Sequence, residues 1–599
     1  MLTRAQQFAL SRGIVAESQI AADEALARLD PFVRRAVRWR IRKLLRRVEL
    51  ETASSDVAHR LRLAFLFGAG QVVADPEDTA SVAEAAAALP APASVGRSGP
   101  WLVASLAALA LALGGGGLWL RHALRPFVPL ETPAGNLLGD VLADHVVALS
   151  RHDAASAQAS REVLTNSAAT AALGADGVQR INGLISSMQA FYTAPAPAPE
   201  RPRIEAFQNA VASLDKLLQT RGLPYFVDAE LRFAPDAQPL PMSYYVQKET
   251  LARADGQRHR VLRLWRLDTL GVAQALLGFT RPHTPAAIVL LDQVESDLIR
   301  FTLPAAAPQG SVELTDDETR EKGEAWVVEL EERATKAMGA HYRSLGGTLS
   351  SDAIRIGTLL SRRRNLVRKW AALLRGQGME LLVPARLFPE VDYAKELELR
   401  IPRADLDDWN DLHDELRTRL PGFEVLRDRF VQGVERHELQ HRLDYARGLI
   451  PVPAFLCDVL GLESPLDAAY GSLAARSRDE ASAYLAEVAR PGDSPLLDVI
   501  ILAHFMLDRR QLGSPYSYAA LEVYAALGKA LGINVDALLG RSISRERFAR
   551  LAEAVWEHPP AELRDAARRA YASDFGAPLP EVSFDTARDF PYYRPDRAR

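Results

Sequence analysis

The sequence predicts an α+β protein that is predominantly helical, with a single-pass membrane segment, a small α+β middle domain and a helical C-terminal domain. The run 101–120 contains no charged residue and is long enough to span a bilayer as a helix. Apolar and polar residues alternate at 226–233 as in a strand, whereas most of the chain after 315 has helical spacing. A chain of 599 residues is also too long for one ordinary core, which favours several folded units.

The composition is that of a globular protein, and it excludes some kinds of binding partner and some kinds of metal site. The chain is 48% hydrophobic and 25% charged, with a formal net charge of −4. No whole domain is strongly basic, so we expect no nucleic acid as the main partner. The single cysteine, Cys457, excludes an intramolecular disulfide framework and any zinc site built on paired cysteines.

The N-terminal region, 1–84, is predicted to be helical and basic, and a linker rich in Ala, Pro and Ser follows at 85–100. The segment 31–47 contains many arginines and no acidic residue, with apolar residues at helical spacing among them. Such a basic amphipathic helix is suited to an anionic membrane surface or to nucleic acid. It is equally typical of the solvated face of a small helical domain.

The uncharged run 101–120 is predicted to be a transmembrane helix. Trp101 and Trp119 lie at its ends, where indole rings favour the boundary between lipid and water. A buried helix of a globular domain is the alternative. The basic segment 31–47 predicts a cytoplasmic N terminus and a C-terminal body on the extracytoplasmic side, although Arg97 before the run and Arg121 and Arg125 after it favour the opposite orientation.

After this run, the sequence predicts four further regions: a helical juxtamembrane region at 121–193, a Pro-rich spacer at 194–202, an α+β domain at 203–310 and a final domain at 315–599. Strands are expected at 226–233, 244–250, 258–267, 287–291 and 298–303, and then at 380–383 and 394–401. Asp255-Gly256 indicates a hairpin between the second and third of these strands. The tail after about 575 is expected to be irregular.

The chemistry is predicted by His437-Glu438-Leu439-Gln440-His441. Two histidines four residues apart project from the same side of a helix, so both rings reach one zinc ion, and Glu438 lies beside it as general base. The histidines continue an apolar stripe at helical spacing, which comprises Leu426, Phe430 and Val434. Because burying two histidines without a partner is costly, this placement favours a metal. The helix is expected to end at Gly448.

A third ligand is expected downstream, and Glu480 is the best candidate. It lies in a second helical stretch whose small residues, Ala481 and Ala483, permit a close approach to the first helix. The competing interpretation makes Ser477 a helix cap and Glu480 the end of a capping box. Glu487, seven residues later on the same face, is the reserve ligand. Asp444 would either accept a hydrogen bond from the imidazole of a ligand histidine, and so orient it, or form a surface salt bridge with Arg447.

The segment 437–448, HELQHRLDYARG, resembles the active-site helix of the gluzincin clan of zinc metallopeptidases. The resemblance implies a zincin-like C-terminal domain with one zinc ion per chain, held by His437, His441 and Glu480, with Glu438 as general base. It covers about fifty residues. The 39 residues from His441 to Glu480 and the lack of an Asn before Glu480 depart from thermolysin-like enzymes. Tyr484 and His504 are candidate donors to the oxyanion.

Three functional hypotheses follow. The first is a membrane-anchored zinc metallopeptidase whose partners are a protein or peptide substrate and a lipid bilayer. The second is a non-catalytic, membrane-tethered interaction or scaffold protein that retains a structural zinc site. In the third, the basic segment 31–47 is the functional region of the protein and binds lipid or nucleic acid. Substrate preference and oligomeric state do not follow from the sequence.

Overall fold

The computed structural model describes residues 130–594 except for short gaps, which are 133–134, 193–200, 232–238, 269, 271–275, 282–283, 285, 377–382, 384, 389–400, 449, 467–468, 470, 493–494 and 541–542. The chain divides after Gly116, and every described residue lies in the second unit, Gly117–Arg599. The predicted basic region, linker and transmembrane run, over 1–84, 85–100 and 101–120, therefore lie outside the described residues.

The predicted single-pass membrane architecture requires correction. Among the described residues, no helix combines the length and the apolar character needed to cross a membrane. The structure therefore does not support a single-pass membrane protein, nor the extracytoplasmic location inferred from it. The fold is instead mostly helical with a curled sheet.

The first described residues form a small hairpin and a group of helices. Strands β1 (Glu131–Thr132) and β2 (Gly135–Asn136) pair antiparallel, and a π-helical turn, Leu137–Val141, follows. Asp153 caps the helix that begins at Ala154, and Ser167 caps the helix that begins at Ala168. Each side chain accepts a hydrogen bond from a backbone N–H group. The helices of this group are α1 (Leu142–Ser150), α2 (Ala154–Asn166), α3 (Ala168–Ala172), α4 (Gly174–Tyr192) and α5 (Arg201–Thr220).

A six-stranded sheet follows. Its strands are β3 (Tyr225–Leu231), β4 (Pro239–Ala254), β5 (Gln257–Arg266), β6 (Gly278–Phe279), β7 (Ala286–Leu290) and β8 (Ser583–Asp589). The order is β3-β4-β5-β7-β6, with β8 also paired to β4, and only β5 and β7 are parallel. The hairpin predicted at Asp255-Gly256 is confirmed: both residues have positive φ, at 51° and 74°, as the favoured two-residue turn requires.

Two expectations are wrong, one about a predicted strand and one about the C-terminal tail. Leu298–Thr302 is a π-helical turn and Leu303–Ala306 a 3₁₀ turn, because a short apolar run fits a buried helical turn as well as a strand. The C-terminal tail is not wholly irregular, since Ser583–Asp589 pairs with β4. The strands predicted at 380–383 and 394–401 fall almost wholly outside the described residues.

The remaining helices surround the sheet and one another. They are α6 (Leu291–Asp297), α7 (Asp317–Glu321), α8 (Ala325–Ser344), α9 (Gly347–Arg375), α10 (Arg403–Thr418), α11 (Leu420–Arg447), α12 (Ala454–Leu460), α13 (Leu473–Val488), α14 (Pro495–Leu507), α15 (Pro515–Ala530), α16 (Val535–Leu539), α17 (Arg545–Trp556) and α18 (Pro560–Phe575). Helix α11 packs against β7 on one side and α13 on the other. One continuous cluster of buried side chains runs from Leu130 to Tyr593, so the predicted boundary at 310–315 falls inside a shared core.

Candidate metal centre

Helix α11 presents both histidines of the motif to one point. The helix ends at Gly448, whose φ of 86° suits glycine and whose N–H donates to the Asp444 carbonyl, as the sequence predicts. His437 and His441 are both buried, and their ring centroids lie 5.0 Å apart. Because the helix is buried on nearly all sides over this stretch, the rings occupy the interior and not the solvated face.

Helix α13 brings Glu480 to the same point. The helix is capped by Ser472, which accepts from the N–H of Ala475, whereas the Ser477 hydroxyl donates to the Leu473 carbonyl inside the helix. Ser477 is therefore not a cap, and the capping-box interpretation of Glu480 is wrong. Ala481 and Ala483 are fully buried, and α13 packs closely along α11.

The donor atoms fit a small tetrahedral metal. Oε2 of Glu480 lies 3.3 Å from Nε2 of His437 and 3.8 Å from Nε2 of His441. One ligand atom from each of the three residues lies within 4.8 Å of the other two. Zinc bonds of about 2.0–2.1 Å in a tetrahedron place ligand atoms about 3.3 Å apart, close to these separations. Two imidazoles and a carboxylate are also a donor set that zinc accepts.

Glu487, the reserve ligand, contacts the other ring nitrogen of His437. Its Oε2 lies 3.2 Å from Nδ1. Burial lowers the pKa of His437, but the hydrogen bonds with Glu480 and Glu487 outweigh burial, so that the pKa rises above its usual range. Glu487 thus occupies the position of a residue that orients a ligand imidazole from behind.

His441 is held differently from His437. Its Nδ1 is buried and has no hydrogen-bond partner among the described residues. Burial lowers the pKa of His441 to about 4, so the ring is neutral and keeps a lone pair for a ligand. Asp444 takes up neither of its expected roles: its carboxylate accepts hydrogen bonds from Gln440 and Ser482 at 2.7 and 2.6 Å.

Glu438 points towards the edge of the sheet. Thr280, just after β6, has its hydroxyl 2.9 Å from the Glu438 carbonyl and 3.0 Å from its Oε2. A side chain at Gly278 would place Cβ only 2.7 Å from Cγ of Glu438 and 2.3 Å from the Ile288 carbonyl, so only glycine fits there. Burial raises the pKa of Glu438 to about 8, although the charge of His437 lowers it.

A cavity of about 970 Å³ lies in front of these groups. Tyr484 forms part of its wall and packs edge-on against His437, with ring centroids 4.5 Å apart. Burial raises the pKa of the Tyr484 hydroxyl, which therefore keeps its proton. His504 also lines the cavity, but its Nδ1 lies 2.9 Å from the Leu314 carbonyl, which ties the ring to the wall.

Gly278 and Thr280 were not anticipated from the sequence. Thr280 meets Glu438 across a separation of 158 residues, and neither residue belongs to a local pattern that marks such a contact. Only the fold, which lays β6 and β7 against α11, brings them together.

Comparisons with known proteins identify no relative. No protein-family model, no curated protein and no solved structure matches this chain. The resemblance of 437–448 to the gluzincin helix therefore rests on the residues of that segment alone.

Proposed function

We propose that this chain is a zinc-dependent metallopeptidase. The single observation that carries the proposal is the convergence of His437, His441 and Glu480, with Glu438 next to them at the wall of a large cavity. In the described part of the chain, this is the one group of three or more such side chains close enough to share a metal ion.

The number of donors favours catalysis over a purely structural site. Structural zinc sites are closed by four protein ligands, whereas catalytic sites have three and leave a position for water or substrate. Among the described residues, three protein donors meet, and the cavity reaches all three of them. This argues against the non-catalytic scaffold with a structural zinc ion.

Each side chain has a defined task in this proposal. His437, His441 and Glu480 would hold the ion, and bound zinc supplies Lewis-acid activation of a water molecule. Glu438 would accept the proton of that water and pass it to the leaving amine. Thr280 keeps the Glu438 carboxylate at the sheet edge, and Glu487 keeps His437 in one orientation.

The edge of the sheet supports a peptide as the substrate. In the described part of the chain, strand β6 is the last strand on its side of the sheet, and its Gly278 lies against Glu438. An edge strand presents backbone N–H and C=O groups, to which an extended peptide can add as a further strand. The extended backbone of a peptide bound in this way would run alongside Glu438, so that its amide bonds lie at regular intervals next to this side chain.

The test uses the full chain, with zinc content and cleavage of a denatured, fluorescently labelled protein measured side by side. We expect about one zinc per chain in the wild type, loss of zinc in His437→Ala, and retained zinc with lost cleavage in Glu438→Gln. Glu562→Gln, an exposed glutamate on α18, is the matched control. A folded wild-type chain that binds no zinc would overturn the proposal. Zinc binding without cleavage would favour the structural-site alternative.

A further inference from the structure

We propose that Arg476 selects substrates that carry a carboxylate close to the bond that is cut. The inference rests on the proposed function and names the class of substrate that the same site prefers. The recognised group is a carboxylate, supplied either by an acidic side chain or by the C terminus of the substrate.

Arg476 lies one helical turn from the proposed metal ligand Glu480. It precedes Glu480 by four residues on α13, so the two side chains leave the same face of the helix one turn apart. Both residues line the cavity. Arg476 therefore lies at the rim of the same cavity as the three proposed metal ligands.

Among the arginines that line the cavity, Arg476 is one without an ion-pair partner in the described part of the chain. Among the described residues, no carboxylate lies within ion-pair distance of its guanidinium, and the side chain is exposed. Four other cavity arginines pair with carboxylates nearby: Arg281 with Asp228, Arg320 with Asp317, Arg364 with Glu313, and Arg510 with Asp508. Arg300 has no ion pair among the described residues either, but its guanidinium lies over the ring of Phe301, 5.3 Å from the ring centroid.

Glu480 directs one carboxylate oxygen to the two histidines. Its Oε2 already lies between the Nε2 atoms of His437 and His441, and the proposed function assigns the same oxygen to zinc. The guanidinium has five N–H donors with which it can bind a group that enters the cavity. Arginine is the side chain best shaped to bind a carboxylate through two parallel hydrogen bonds.

The surroundings strengthen such a pair. Tyr516 also lines the cavity, and it stacks on Phe505 at 5.3 Å between ring centroids. Phe505 in turn contacts Tyr484, at 6.2 Å. These half-buried rings line the same cavity as Arg476. Attraction between opposite charges is stronger next to such apolar groups than in open water.

The test compares paired peptides with the zinc-loaded full chain. One pair differs by Glu against Gln at each position around the cut bond, and the other by a free against an amidated C terminus. We expect kcat/KM to favour one carboxylate peptide by about tenfold or more. Which pair shows the preference identifies the source of the carboxylate. In Arg476→Gln the ratio should fall towards one, and in Arg476→Glu it should favour a Lys peptide.

Arg550→Gln is the control, because Arg550 is an exposed arginine on α17 paired only with Glu546. It should keep the wild-type ratio. Equal rates for both members of every pair would overturn the inference, as would a preference that survives in Arg476→Gln, with or without a general loss of rate. Binding of the same peptides to zinc-loaded Glu438→Gln, followed by fluorescence anisotropy, separates this inference from the proposed function. If zinc-loaded Glu438→Gln prefers the carboxylate peptides and the added Arg476→Gln change abolishes this preference, the role of Arg476 is supported even where no peptide is cut. If zinc-loaded Glu438→Gln shows no such preference in binding, that role is overturned.

Discussion

Oε2 of Glu487 lies 3.2 Å from Nδ1 of His437, on the opposite side of the ring from Glu480. The contact fixes which nitrogen of His437 faces the metal position and holds the ring against rotation. We therefore expect Glu487→Gln to weaken zinc binding by about tenfold or more, because the neutral amide orients the imidazole less strongly. Competition with a fluorescent zinc chelator measures the change. An unaltered zinc affinity would contradict this role.

The hydroxyl of Thr280 holds the carboxylate of Glu438 at 3.0 Å, and this contact yields a second prediction. Thr280→Val keeps the shape of the side chain but removes the hydroxyl, so Glu438 loses its partner at the sheet edge. We expect kcat to fall by about tenfold with zinc content unchanged, since the loss of one hydrogen bond costs up to about 1.5 kcal/mol. Thr280→Ser should restore most of the activity. Equal rates for Val and Thr would show that Glu438 needs no such support.

Gly278 permits the close approach of β6 to α11. In Gly278→Ala the new Cβ would meet the Ile288 carbonyl at 2.3 Å and Glu438 Cγ at 2.7 Å, so the strand or the glutamate must move. We expect loss of cleavage and a decrease of about 1–3 kcal/mol in the free energy of unfolding. The control is Gly183→Ala in α4, where a Cβ meets no atom within 4 Å. A fully active Gly278→Ala would contradict the packing described here.

The elements that sequence patterns predict well are those whose cause is local. The helix of His437 and His441, its end at Gly448 and the hairpin at Asp255-Gly256 all depend on residues close together in the chain. The contact of Thr280 with Glu438 depends on the tertiary fold and leaves no local pattern.

The wrong expectations have the same origin. The run at 298–303 is too short and too uniformly apolar to distinguish a strand from a buried helical turn. The pairing of the tail with β4 joins segments more than three hundred residues apart, so the polar composition of the tail was a poor guide.

The C-terminal tail also yields a prediction about stability. The Arg594 side chain is fully buried, and its Nη1 and Nη2 atoms each lie 2.8 Å from a different oxygen of Glu295. Arg594→Ala leaves the buried Glu295 with only part of its pairing, through Arg427. We expect a loss of about 3–5 kcal/mol in the free energy of unfolding, measured by urea denaturation. Arg550→Ala, at an exposed ion pair, should change it by less than about 0.5 kcal/mol.

Glu522 is expected to make the stability depend on pH. Its side chain is buried next to Asp574, and its Oε2 has no hydrogen-bond partner among the described residues. Burial, together with the charge of Asp574, raises the pKa of Glu522 above its ordinary 4.5. The folded state therefore holds a proton that the unfolded state releases, and this stabilisation is present at low pH and lost as the pH rises above 4.5.

Glu522→Gln replaces the titrating group with a neutral one of the same shape that still accepts a hydrogen bond from the Leu456 backbone. We expect the variant to be more stable than the wild type at about pH 8, by about 1–2 kcal/mol, and to show a flatter profile down to about pH 5. Urea denaturation across this range measures both, with Glu562→Gln as the exposed control. Parallel profiles for wild type and Glu522→Gln would mean that Glu522 does not carry a shifted pKa.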